Sequence, residues 1–313
     1  MALPLIIDTD PGQDDCIAIL LALASPELQL LGLTTVAGNV AAPLTARNAL
    51  RICELARRRD IPVFGGCERP LIDRPYHAPE IHGESGLDGA HLPEPKIKLQ
   101  SQHAVDWLVE TLMKHGDRSV TVAAIAPLTN IAIALRREPR IAGKIARLVV
   151  MGGSLRVGGN MTPAAEFNIF VDPHAAAMVF DSGLEIALFP LDVTWKVRVR
   201  DEHVERLRAA KSAAARTVAD LMDFYLGTEA MAEGGRHLGA PLHDACTIAW
   251  LLEPKLFRGG RLAIRVETAS PLTRGMTVPD WRGLWGGPAN VEAFEEADAP
   301  RVLDLLIERL GRL

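Results

Sequence analysis

Asp8-Thr9-Asp10-Pro11-Gly12-Gln13-Asp14-Asp15 gathers its carboxylates between two apolar runs, Leu3 to Ile7 before it and Cys16 to Ala24 after it. The first run predicts a buried strand and the second a helix, so the acids fall on a strand-to-helix turn. Asp8 and Asp10 lie two apart at the strand end, which directs both side chains to one face, while Asp14 and Asp15 fall in the first helical turn. A helix N-terminus stabilises a nearby negative charge by only about 0.3 to 1 kcal/mol. Carboxylates this close raise one another's pKa or require a cation, and hard oxygen donors suit calcium or magnesium. N-capping by Asp10 with solvated acids behind it is the competing account. A metal site accounts for the whole cluster.

The chain has 313 residues, 48% of them hydrophobic and 23% charged, which is ample material for a core. A formal charge of −5 with no basic stripe points away from nucleic acid as a partner. Cys16, Cys53, Cys67 and Cys246 form no CxxC pair, and three lie in or beside apolar runs, as expected of free thiols in a reducing cytosol. Neither a basic leader nor an apolar run of membrane-spanning length is visible. A soluble, cytoplasmic protein with no membrane partner is expected.

Outward from the acidic turn, apolar runs predict strands over Leu28–Val36, Pro62–Gly66, Ser119–Ile125, Ile145–Met151 and Glu185–Leu191. Helical patterns cover Leu44–Arg58, His103–His115, Ile131–Arg136 and the segment from Asp172-Pro173-His174 to Phe180. Strand and helix in alternation predict an α/β fold, a mostly parallel central sheet with helices on both faces. Ligands of such sheets collect beyond the carboxyl ends of the strands, where the acidic turn lies. The last third is a helical excursion, with helices over Asp201–Leu207, Ser212–Met231 and His243–Leu252, an interruption at Glu233-Gly234-Gly235 and a closing helix from Ala299 to Leu310. Arg261–Thr268 and Met276–Pro279 are expected to form antiparallel edge strands. One domain over 1–313 is the simplest organisation.

Residues 67–100 lack periodicity, and loops of this length in a compact domain tend to be functional. They contain Ile81-His82-Gly83-Glu84-Ser85-Gly86, where small residues let a backbone approach a ligand. Asn160, Glu166 and Asn168 supply amides and a carboxylate suited to vicinal hydroxyls. If that segment is extended, Glu166 and Asn168 point one way. His243-Asp244 opens an apolar helix, and a buried carboxylate there is costly unless paired or metal-bound; an ordinary N-cap is the alternative.

Taken together these motifs resemble the inosine-uridine preferring nucleoside N-ribohydrolases. The likeness runs in order through the acidic turn, Ala37-Gly38-Asn39, His82-Gly83, Pro127-Leu128-Thr129-Asn130, Met151-Gly152-Gly153, Asn160 with Glu166-Phe167-Asn168, and Pro241-Leu242-His243-Asp244. It implies a nucleoside hydrolase-like fold and one Ca2+ held by Asp10, Asp15, Asp244 and the carbonyl of Ile125. Asp14, Asn160, Glu166 and Asn168 would grip the ribose, with Asn39 near them. Asp10 would be the general base on a calcium-bound water, and His243 would assist the leaving base. His82, Tyr225 and His237 are candidates for the base pocket, and Glu229 stands where an aromatic or amide is easier to understand. The resemblance further implies a ribonucleoside as small-molecule partner and a homotetramer or homodimer. Such chemistry passes through an oxocarbenium-like state, to which carboxylates, a positioned water and a histidine are suited. Asp8 is left with a structural role.

Two other functions fit parts of the pattern. Asp8 and Asp10 at a strand end could serve a magnesium-dependent phosphohydrolase, and the same scaffold could bind nucleosides without catalysis. The presence of Asp10, Asp15 and Asp244 together argues against the second.

Overall fold

The computed structural model describes residues 2–233 and 236–313, without the side chains of 229–236, so the expectations at Glu229 and at Glu233-Gly234-Gly235 lie outside the described residues. Its main sheet has eight strands: β1 (Leu3–Thr9), β2 (Leu28–Thr35), β3 (Val63–Gly65), β4 (Val120–Ala124), β5 (Ile145–Met151), β6 (Ile186–Phe189), β7 (Phe257–Leu262) and β8 (Val291–Ala297). Their order is β3-β2-β1-β4-β5-β6-β8-β7, and all pairings are parallel except that of β7 with β8. The order reverses between β1 and β4, which opens a crevice at the carboxyl ends of those two strands.

Alternation along the central strands fills a core on each face. Leu5 and Ile7 join one apolar cluster while Ile6 joins the other, and Ala123 against Val122, and Val149 against Leu148 and Val150, divide in the same way. Near-continuous apolar strands are what a sheet covered on both faces requires. Helix α1 (Gln13–Leu23) is buried from Gln13 to Ala22 and packs against the helix Ala245–Leu252, which carries Asp244 at its start. Among the described residues no helix is long and apolar enough to cross a membrane.

The predicted α/β architecture is present, with one local expectation changed and one strand unforeseen. The edge-strand segment Arg261–Thr268 is divided: its start belongs to β7, and Ile264–Val266 pairs with Thr277–Pro279 in a separate two-stranded sheet. β8, acidic in sequence, enters the main sheet between β6 and β7. Its acids are matched from outside, Glu292 by Arg147, Glu295 by Arg156 and Glu296 by Lys196. Four rings anchor these last strands. Phe189 lies 4.6 Å from Phe294, 5.3 Å from Phe257 and 5.9 Å from Trp250. Phe189→Ala is therefore expected to cost about 3 to 5 kcal/mol in urea unfolding; a loss below about 1 kcal/mol contradicts the anchoring role.

Candidate active site

β1 ends at Thr9, and Pro11 and Gly12 turn the chain into α1. The strand ends there, and Asp8 and Asp10 take different partners. Asp8 is fully buried and accepts from Thr34 Oγ1 at 2.5 Å and Asn130 Nδ2 at 2.8 Å, outside the cavity described below. Two neutral side chains thus hold its Oδ1, and it does not line the cavity. Asp10 does not cap the helix: Gly12 occupies the N-cap position, and Asp15 Oδ2 reaches back to accept from Gly12 N at 2.9 Å.

The carboxylates of the turn are held by neutral donors. Asp15 Oδ1 accepts from Thr9 Oγ1 at 2.5 Å, and Asp10 Oδ2 accepts from the backbone N–H of Asn39 at 2.7 Å. Asn39 Nδ2 donates to Asp15 Oδ2 at 3.1 Å and to the Asp10 carbonyl at 3.2 Å. A Cβ at Gly38 would sit 1.9 Å from Asp10 Oδ2, so only glycine lets β2's exit loop approach this closely. Among the described residues Asp10 Oδ1 has no hydrogen-bond partner, and neither has Asp8 Oδ2. Ligand atoms of Asp14, Asp15 and Asp244 lie within 4.8 Å of one another, all on buried residues. Asp244 occupies the N-cap position of its helix, but its side chain makes no capping bond. Burial first, then the neighbouring carboxylates, pushes Asp10 and Asp244 well above the usual carboxylate range. Burial also raises Asp15, which faces Asp244 closely enough to share a proton. An orphaned buried oxygen beside converging acids fits a hard divalent cation. Asp14, read from sequence as a sugar ligand, joins that cluster geometrically, and Asp10 adjoins it.

Above the acids lies a cavity of about 290 Å³, lined by Asp14, Asn39, His82, Ile125, Asn160, Glu166, Asn168, Tyr225, His243 and Asp244 among others. Glu166 is extended, but Asn168 lies in a helix, so the two do not alternate along one strand. Glu166 is the N-cap of a short helix, Phe167–Val171, and its carboxylate accepts from the N–H groups of Gly153, Asn168 and Ile169 at 2.8, 2.9 and 3.1 Å. Burial raises it to about 7 despite those bonds. Asn168 Nδ2 donates to the Met151 carbonyl at 3.3 Å. Asn160, at the exposed mouth, accepts from Phe167 N at 3.0 Å through Oδ1.

Two buried histidines form part of the opposite wall. Burial lowers His82 to about 4 and His243 to about 3, so both are neutral near pH 7. His243 Nδ1 lies 2.8 Å from Thr194 Oγ1, and the His82 ring lies nearly parallel to Tyr225 with centroids 6.0 Å apart. His237 is not brought to the site; it is exposed on the turn Arg236–Leu238 and is absent from the lining. Sequence reasoning assigned no task to Trp195, Phe167, Glu80 or Ile81, which also line the cavity. Ile81 and Phe167 stood inside quoted motifs, and only the aperiodic loop signalled Glu80.

The family profile described as inosine-uridine preferring nucleoside hydrolase matches residues 5–304. A pyrimidine-specific ribonucleoside hydrolase RihA from Enterobacter sp. (strain 638) is 49% identical over 312 residues, covering 100% of this chain and 99% of that one. Among solved structures, the plant nucleoside hydrolase PpNRh1 superposes with a TM-score of 0.93 at 33% identity, over 99% of each chain. A purine-preferring ribonucleoside hydrolase from Gardnerella vaginalis gives 0.91 at 31%, over 98% of each. Profile, sequence and fold agree over nearly the full length: the chain belongs to the inosine-uridine preferring nucleoside hydrolase family and is a ribonucleoside hydrolase.

Proposed function

We propose that the protein hydrolyses the N-glycosidic bond of pyrimidine ribonucleosides to free base and ribose, with calcium as its resident ion. The observation that carries the mechanism is Asp10 Oδ1, buried and, among the described residues, unpartnered beside the converging acids. The pyrimidine preference is supported by the 49% identity to a pyrimidine-specific relative, against 31% to a purine-preferring one. Family membership likewise supports a cytoplasmic homodimer or homotetramer.

Asp10, Asp15, Asp244 and the Ile125 carbonyl would hold the ion. When bound, calcium supplies positive charge that orients a water and lowers its pKa. Asp10 takes the proton from the attacking water, and the remaining acids favour positive charge developing on the ribose. Asp14 and Asn168 grip the sugar hydroxyls from the cavity wall, with Asn160 at the mouth. Glu166, whose carboxylate is occupied by three backbone N–H groups, holds the Asn168 backbone in place. Orientation of this kind is worth roughly 7 to 11 kcal/mol of barrier. His243 aids the departing base as a neutral imidazole, through the ring nitrogen that Thr194 does not engage.

Asp10→Asn is expected to lower kcat for uridine by roughly 10² to 10⁴ with the fold retained. Ribose release from wild-type enzyme should cease on chelation and return with calcium. In the same reducing-sugar assay, kcat/KM for uridine or cytidine should exceed that for inosine; the reverse order contradicts the pyrimidine reading.

The raised carboxyls also set a pH dependence of stability. An acid whose pKa rises on folding binds its proton more tightly in the folded chain, so its contribution is full below the ordinary value of 3.8 and is lost as pH climbs through the raised one. Chelated protein should therefore lose melting temperature as pH climbs above the ordinary carboxylate range. Calcium at a hundred times its Kd should restore about 2.7 kcal/mol at neutral pH. A melting temperature indifferent to calcium by calorimetry contradicts the site.

A further inference from the structure

Gln13 sits fully buried among the acids of the turn and takes no part in the chemistry described above. Its Nε2 lies 3.1 Å from the carbonyl of His82 and 3.1 Å from that of Asp88. Carbonyls only accept, so the amide orientation is determined: the NH2 group faces those two oxygens and Oε1 faces the other way. Oε1 is 2.6 Å from His82 Nδ1. An amide oxygen cannot donate, so Nδ1 carries the imidazole proton. Burial keeps the ring singly protonated near neutral pH. The ring is seated tightly as well, for a Cβ at Gly12 would come within 2.5 Å of Nδ1. Nε2 has no partner among the described residues, on a side chain that lines the cavity.

We infer that Gln13 is a positioning residue that locks His82 as its Nδ1–H tautomer, so that Nε2 accepts a hydrogen bond from an N–H of the substrate's base. The inference rests on the nucleoside reading above and sharpens it. Uracil joined to ribose through N1 has a single N–H, at N3, and cytosine has only its 4-amino group. A bare imidazole nitrogen repels the base carbonyls and rewards those donors. The acidic floor thus reads the sugar, and His82 reads the base.

The test uses full-length, calcium-loaded enzyme labelled with ¹⁵N-histidine, in which two-bond ¹H–¹⁵N correlations show which ring nitrogen is protonated. The His82 signals are identified by their loss in His82→Gln. Wild type should show His82 protonated at Nδ1 alone, and Gln13→Met should show a mixture of tautomers. Protonation at Nε2 in the wild type overturns the inference, and this readout needs no turnover. In parallel, kcat/KM is compared for uridine and 3-methyluridine, which lacks any base N–H. Wild type should favour uridine by roughly tenfold or more, and His82→Ala should reduce that preference to about twofold or less. An unchanged preference in His82→Ala overturns the contact to the base. So does an effect of His82→Ala that vanishes with 5′-deoxyuridine and survives N3 methylation, since the acceptor would then face the sugar. A wild type that releases no ribose from uridine overturns the hydrolase reading instead, leaving the tautomer to the spectrum.

Discussion

Buried like charge is the constraint on which this molecule is built. Asp10, Asp15 and Asp244 are almost entirely removed from water, and each is raised above its ordinary pKa by that burial. The donors identified on Asp10 and Asp15 are neutral: Thr9, Gly12 and Asn39. Hydrogen bonds of this kind can orient carboxylates but cannot cancel their charge, so the arrangement is stable at neutral pH only with a cation or a retained proton. The rest of the fold brings the acids together. The β1–β4 reversal opens the crevice, Gly38 leaves room for Asp10, and the packing of α1 on the Ala245–Leu252 helix delivers Asp244 from the far end of the chain.

The site is divided electrostatically. Its floor is acidic, suited to a cation and to hydroxyls, whereas its two buried histidines are neutral. A histidine of ordinary pKa could exchange a proton with a leaving base near pH 7. Buried as these are, they act through directed hydrogen bonds, so the tautomer each holds matters more than its charge. Thr194 and Gln13 are the residues beside the two rings that bear on it. Neither lines the cavity.

Much of this was legible in the sequence, for physical reasons that differ by element. β5 runs over Ile145–Met151 as read, because a doubly covered strand is a bounded apolar run. Asp172 caps its helix as its Asp-Pro pattern predicts, accepting from Ala175 N at 3.0 Å. β8 was not legible, because its glutamates are neutralised by Arg147, Arg156 and Lys196, which lie far away in the chain. The site residues that the family likeness brought forward line one cavity or lie beneath it, except His237. Gln13 stood inside the signature yet gave no sign of its task, since its partners lie 69 and 75 residues further on. Alternation left open whether the segment at Glu166 was extended, and its cap contacts reveal a helix start.

The central claim, that the converging acids form the cation site on which hydrolysis depends, is tested most directly by calorimetric titration of calcium into chelated enzyme in buffers of different ionisation enthalpy. The account predicts one ion bound per chain with release of protons near neutral pH, because the acids are raised before the ion arrives. It predicts loss of that binding in Asp244→Asn. Absence of binding, or binding that releases no proton and survives Asp244→Asn, would contradict it.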